Sequence, residues 1–281
     1  MKLIVDSGST KAKWAIIDNG ALEYIDTKGI NPHFISIYEI ELILHEVKSH
    51  CLKPITEIFF YGSGVTSKSL AKDLENQLKM FVSQEAKISI ETDLYAACRA
   101  LFGLEKGVAC ILGTGAATGL FDGKEIIDKV PSLGFWLGDE GSGADLGKRL
   151  IKSYLRKELS PEVIRSFEED YGNFNREFVF DKIKTETRPN AFFALFCPFL
   201  KKHEHESGII ELVESAFDEF IEHHLLPYGI NDDMKIGFVG SIAYYFSAAL
   251  RKRMAIYFDN EIVILSNPIE SLVKFHVTNV Q

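Results

Sequence analysis

Apolar positions fall first in short runs at strand spacing. Residues 2–5 form an apolar strand, Asp6-Ser7-Gly8-Ser9-Thr10 interrupts it, and a second strand follows over 13–17. There Trp14 and Ile16 alternate with Ala15 and Ile17, so both faces are expected to be at least partly buried. Asn19-Gly20 is a hairpin-turn signal, with a third strand over 22–27. Residues 34–49 change to helical spacing through Ile37, Ile40, Leu44 and Val47. A strand over 58–61 ends in Gly62-Ser63-Gly64, and Ser67 caps a helix running to 82. A further strand occupies 88–92, and Asp93 opens a helix to 104.

The layout then begins again. An apolar strand over 108–112 leads into Gly113-Thr114-Gly115-Ala116, a strand over 118–121 and an Asp122-Gly123 turn. IVDSGSTKAKWAIIDNG and CILGTGAATGLFDG share one plan of strand, small-residue loop, strand and tight turn. Two copies of one βββαβαβα-like unit would give two α/β domains, 1–106 and 107–281, with a cleft between their loop ends. The second copy carries inserted helical material over 143–227, then a strand over 235–239 and a helix over 243–258. The Phe-rich run over 192–199 reads as core. An amphipathic helix over 209–225 offers a face through which a homodimer could form, though the sequence does not fix the oligomeric state.

Composition narrows the function classes. A chain of 281 residues, 46% hydrophobic and 25% charged, has apolar material for one or two cores. Its 31 basic against 40 acidic residues give a net charge of −9. That balance argues against nucleic acid or an anionic membrane as partner, since both need a basic footprint. A small anion held by loops and a metal stays compatible with it. The longest strongly apolar stretch, 191–200, is about half of the roughly 20 residues a membrane span needs. Asp6 interrupts the first apolar run too early for a signal peptide. Cys51, Cys98, Cys110 and Cys197 have no zinc-ligand spacing and read as reduced thiols, so a cytoplasmic location is expected.

Four places can carry chemistry. At the end of the first strand, Asp6 is followed by Ser7-Gly8-Ser9-Thr10-Lys11, where backbone amides and hydroxyls can face phosphate oxygens and the carboxylate can hold Mg²⁺ through water. A plain polar hairpin is the alternative. Gly113-Thr114-Gly115 is the matching loop of the second half, and the duplicated position strengthens a phosphate-clasping reading of both. Gly138-Asp139-Glu140-Gly141-Ser142-Gly143 opens a helix; Ser142 can cap it, while a carboxylate there can accept hydrogen bonds from vicinal sugar hydroxyls. Asp93 either caps its helix or takes a proton from a hydroxyl that attacks phosphorus. His203-Glu204-His205-Glu206 reads as a solvated loop, and His223-His224 as a favourable helix C-terminus.

Taken together these motifs resemble the actin-like, hexokinase-type ATPases, within the N-acetylglucosamine kinase and BadF/BadG-type ATPase family. The resemblance runs over essentially the whole chain. GDEGSG at 138–143 matches the sugar-kinase signature, Asp6–Lys11 the first phosphate loop and Gly113–Gly115 the second. Gly29-Ile30-Asn31, Thr92-Asp93-Leu94, Gly240-Ser241-Ile242 and Asn267-Pro268-Ile269-Glu270-Ser271-Leu272 match further motifs in order. It implies a duplicated actin-like ATPase fold of ribonuclease H-like type, using ATP and Mg²⁺ to phosphorylate the 6-hydroxyl of an amino sugar. N-acetylglucosamine is the first candidate. Glucosamine, N-acetylmuramic acid, glucose, or an ATPase or sugar-binding regulator of BadF/BadG type are the alternatives.

Carried over by position, the resemblance makes Asp6 the Mg²⁺-organising carboxylate and Gly8, Ser9, Thr10, Lys11, Thr114 and Gly115 phosphate contacts. Gly240 and Ser241 would meet the adenosine. Asn31, Ser63, Asp93 and Asp139 would bind the sugar, with Asp93 also the catalytic base. One departure stands out: Ser132-Leu133-Gly134 replaces the Gly-aromatic-Gly that many relatives carry near the sugar's 2-substituent. Neither Cys98 nor Cys110 has the spacing of the iron–sulfur cysteines found in redox relatives.

Overall fold

A computed structural model describes residues 1–83, 85–172 and 174–278 of the chain. Met1–Leu104 and the segment from Asn267 onward make one compact unit, and Glu105–Ser266 make another.

The first unit runs β1 (Lys2–Ser7), β2 (Lys11–Asp18), β3 (Ala21–Lys28), α1 (Ile37–Ser49), β4 (Glu57–Gly62), α2 (Lys68–Phe81), β5 (Lys87–Thr92) and α3 (Asp93–Phe102). Its sheet order is β3-β2-β1-β4-β5. The two hairpin connections give antiparallel pairs, while β1, β4 and β5 are parallel. Because side chains alternate along a strand, this sheet has two apolar faces to cover. Leu3, Val5, Trp14, Ile16 and Phe60 meet Ile40, Leu44 and Val47 of α1 and Leu74 and Leu78 of α2. The N–H of the buried Trp14 indole is satisfied by Thr27 Oγ1 at 2.9 Å. α1 begins with a Ser36/Glu39 capping box, and Ser67 caps α2 as its sequence predicts.

The second unit runs β6 (Gly107–Leu112), β7 (Ala116–Phe121), β8 (Ile126–Asp128), α4 (Gly134–Leu137) and α5 (Gly143–Leu155). The inserted helices follow as α6 (Pro161–Tyr171), α7 (Arg176–Thr185), α8 (Pro189–Ala194), α9 (Cys197–Lys202) and α10 (Ser207–Phe220), and α10 runs into a π-helical turn over Ile221–Leu225. Then come β9 (Lys235–Val239), α11 (Ser241–Tyr245), α12 (Ser247–Tyr257) and β10 (Ile262–Leu265). Sheet order is β10-β9-β6-β7-β8. Read from its other edge, that is the order of the first sheet, with the same antiparallel and parallel pairs. The internal repeat of the sequence is thus a repeat of topology.

Two expectations are corrected. The second domain was expected to extend to residue 281, but α13 (Ile269–Thr278) belongs to the first unit. The second face of the first sheet explains this: Ile4, Ala15 and Tyr61 are covered there by Ala96 of α3 and by Ile269, Leu272 and Val273 of α13. Without α13 that apolar face would lie open to water. The other correction concerns the helix read as offering a face for a homodimer. Ile209, Leu212, Val213, Phe217 and Phe220 of α10 are buried in their own unit, against Leu146 and Leu150 of α5 and Phe238 of β9. That face is already covered and supports no dimer. Phe192, Phe193, Phe196 and Phe199 are core, as expected. Among the described residues no helix is long and apolar enough to cross a membrane.

Candidate functional site

Parallel register places Ser7 beside Gly62 and Gly62 beside Thr92, so β1, β4 and β5 end in one row. Asp6 sits one residue before that row, and Ser63 and Asp93 just after it. Open α/β sheets bind ligands at the carboxyl ends of their strands. Burial, with the charge of Asp93 behind it, pushes the Asp6 carboxyl up to about 7. The two carboxylates therefore sense each other across the strand ends. Thr92, not Asp93, is the N-cap of α3: its hydroxyl accepts from the Tyr95 amide at 3.1 Å. Asp93 occupies the first helical turn and accepts the Leu94 amide at 2.8 Å. Capping is thus already provided by its neighbour.

Three loops are knitted together at this edge. The Ile30 amide donates to the buried Ser7 Oγ at 2.7 Å, and the Ser63 amide donates to the Ser7 carbonyl at 2.9 Å. Gly29 lies so close to the first loop that a Cβ there would fall 2.1 Å from the Gly8 carbonyl oxygen. The Asn31 side chain is buried, donating to Ser9 Oγ at 2.6 Å and accepting the His33 amide at 3.0 Å. Ser9 Oγ is also 3.1 Å from Ser63 Oγ. Gly64 has φ +83°, and a Cβ on it would fall 2.2 Å from Asn31 Oδ1. Gly8, Thr10 and Lys11 are exposed at the turn, whereas Ser9 is half-buried beneath it.

The second unit gathers its own set. The amides of Gly143 and Ala144, at the start of α5, donate to the carbonyls of Gly113 and Thr114 at 2.8 and 3.0 Å. The helix N-terminus thus docks on the Gly113–Gly115 loop and brings its positive end there. Ser142 is the cap, accepting from the Asp145 amide. That leaves Asp139, in a left-handed conformation at φ +60°, for another task. Its carboxylate accepts the Ala116 amide at 3.3 Å and lies 3.0 Å from where a Gly115 Cβ would stand. Burial raises its pKa, only partly offset by that amide. Gly240, at φ +127°, packs where a Cβ would be 2.3 Å from the Leu112 carbonyl oxygen and 3.2 Å from the Gly113 nitrogen. Thr114, Gly115, Asp139 and Gly240-Ser241 therefore share one end of the second sheet.

His224 is a residue the sequence reading set aside as a helix terminus. It lies in the π-helical turn, is buried, stacks on Phe220 and hydrogen-bonds Glu140 Oε2 through Nε2 at 2.8 Å. Burial would raise the Glu140 pKa, but the His224 hydrogen bond, a backbone hydrogen bond and the neighbouring histidines together outweigh it, and the net direction is down. Single-turn π-bulges are frequent at functional sites. By contrast, His203 is 3.0 Å from Ser166 Oγ and His205 is paired with Glu206, as a solvated surface loop permits.

A divalent cation fits the first unit's edge, since it would relieve the repulsion between Asp6 and Asp93. Among the described residues no three His, Cys, Asp or Glu side chains gather into a metal-holding group. Mg²⁺ is commonly taken by one or two carboxylates, with water and phosphate oxygens completing its shell, and Asp6 and Asp93 are carboxylates of that kind.

An N-acetylglucosamine kinase, provisionally so named, from Porphyromonas gingivalis is similar in structure along 99% of both chains, at 34% identity and a TM-score of 0.92. A second provisionally named N-acetylglucosamine kinase, from Chromobacterium violaceum, shares the fold over 98% of both chains at 17% identity and a TM-score of 0.75. The ethanolamine utilization protein EutJ from Carboxydothermus hydrogenoformans shares it more loosely, at 14% identity and a TM-score of 0.51 over 96% of this chain and 86% of that one. No protein-family model and no curated protein matches the sequence. The repeated strand order and these neighbours identify the duplicated actin-like ATPase fold.

Proposed function

The chain belongs to the N-acetylglucosamine kinase and BadF/BadG-type ATPase family, and from that premise we propose that it is an ATP-dependent sugar kinase acting on the 6-hydroxyl of an amino sugar. N-acetylglucosamine is the first acceptor to test. The observation that carries this reading is the row of strand ends in the first unit, which brings Asp6, Ser63 and Asp93 to one edge, close enough for the Asp93 charge to act on Asp6.

Phosphoryl transfer asks mainly for positioning and charge neutralisation. Mg²⁺, when bound, would supply part of that neutralisation on the phosphates. Asp6 would hold it through water, with the exposed Gly8, Thr10 and Lys11 and the Thr114-Gly115 loop turned to phosphate oxygens. Gly240 and Ser241 would meet the adenosine, and Asn31, Ser63 and Asp139 the sugar hydroxyls. Asp93 would take the proton of the 6-hydroxyl as its oxygen forms the bond to the γ-phosphorus and ADP departs. Thr92 caps the helix, so the position of Asp93 is not explained by capping.

The test is ADP release from Mg-ATP with a panel of N-acetylglucosamine, glucosamine, N-acetylmuramic acid and glucose. Release only with sugar, greatest with N-acetylglucosamine, is expected. Equal release with and without every sugar would sink the kinase reading.

A further inference from the structure

We propose that the Ser9 hydroxyl is a positioning group for the sugar acceptor and not a phosphate contact; this rests on the kinase reading above. Ser9 lies in the small-residue turn after β1, where every side chain is a candidate for phosphate. Its neighbours Gly8, Thr10 and Lys11 are exposed on that turn, but Ser9 is turned under it. There its oxygen accepts the Asn31 side-chain amide at 2.6 Å and stands 3.1 Å from the Ser63 hydroxyl. Asn31 cannot be reversed without cost, because the His33 backbone amide fixes its oxygen at 3.0 Å. Gly64 adds a wall: the Asn31 amide fills the space a Cβ would need.

The consequence is positional. Ser9 accepts from the Asn31 amide and shares a hydrogen bond with the Ser63 hydroxyl, so one oxygen holds both side chains. Both would meet the sugar in the kinase reading. A hydroxyl in the phosphate turn thus aligns two sugar-facing groups that lie 22 and 54 residues away. Losing it would leave Asn31 and Ser63 in place but unaligned.

Steady-state kinetics on Ser9→Ala and Ser9→Gly, each with sugar varied at saturating ATP and ATP varied at saturating sugar, test this. Both variants should raise the sugar KM about tenfold, the scale of one well-placed hydrogen bond, with the ATP KM within about twofold of wild type. Ser9→Ala added to Asn31→Ala should cost little beyond Asn31→Ala alone, since the two groups act as one unit. Gly64→Ala, which displaces Asn31 without touching the turn, should also raise the sugar KM. A raised ATP KM with an unchanged sugar KM, or full additivity with Asn31→Ala, would overturn the assignment while leaving the kinase reading intact. A wild-type protein without sugar-dependent ADP release would overturn both.

Discussion

Glu140 accepts a 2.8 Å hydrogen bond from Nε2 of His224, a residue 84 positions further along the chain. The bond joins the GDEGSG turn to the π-helical turn at the end of α10, and Gly141 packs against Phe220 in the same place. The buried Nδ1 of His224 has no hydrogen-bond partner among the described residues, so Nε2 carries the ring's side-chain hydrogen bond.

His224→Ala should therefore leave a half-buried carboxylate without its donor and lower stability by about 1–3 kcal/mol. Urea denaturation will show a lower midpoint with an unchanged slope. His224→Gln, whose amide can still donate, should lose less. Equal losses for the two variants would mean that packing on Phe220, and not the hydrogen bond, holds this turn.

Asp6 carries a pH signature. Its native pKa of about 7 lies above the ordinary 3.8, so the folded state favours the proton. Its contribution to stability is full below about pH 4 and is lost as pH rises through 7. A cation bound there competes with that proton. The rise in Tm on adding Mg-ATP should be larger at pH 8 than at pH 6, and Asp6→Asn should erase the difference. An equal rise at both pH values in the wild type would remove Asp6 from the metal.

Much of this site is legible in the sequence because its signals are local. The strand-then-small-residue pattern marks both loops, Ser67 and Ser142 are recognisable caps, and Asp93 follows an apolar strand directly. What is not legible depends on distant partners. β8 spans three residues and β10 four, too short for periodicity to declare. Ile269, Leu272 and Val273 form an ordinary amphipathic face, and only the uncovered side of the first sheet decides where it docks. His224 reads as a helix end because the π-helical turn that aims it at Glu140 leaves no pattern in the residues.

The docking of α13 also predicts acid sensitivity. Arg99 donates to Tyr61 Oη at 2.7 Å, so Tyr61 gives its proton to His276 Nε2, also at 2.7 Å. Burial, helped by Arg99 and Lys2, pushes the His276 pKa down to about 3. Its contribution is present above the unfolded pKa near 6.5 and is lost as pH falls toward 3. From pH 6.5 to 5 the loss should be about 2 kcal/mol. His276→Gln, which can still accept from Tyr61, should flatten that dependence in urea titrations. An unchanged slope would mean that His276 does not titrate with unfolding.

Asp93→Asn separates chemistry from architecture. Thr92 caps α3, and the Asn side-chain oxygen can still accept the Leu94 amide, so the fold and Tm should hold. Removing the Asp93 charge also lowers the Asp6 pKa in part, while burial, the larger cause, still holds it up. A purely electrostatic role for Asp93 would then leave turnover near wild type or raise it. What the substitution takes away is the capacity to accept a proton from the attacking hydroxyl, a contribution of about 10²–10⁴-fold where it operates. We expect kcat to drop at least about 100-fold, with sugar affinity by calorimetry changed less than about tenfold, since Asn still bonds a hydroxyl. A kcat near wild type would move the base elsewhere, and Asp139, whose burial already raises its pKa, is the next residue to substitute.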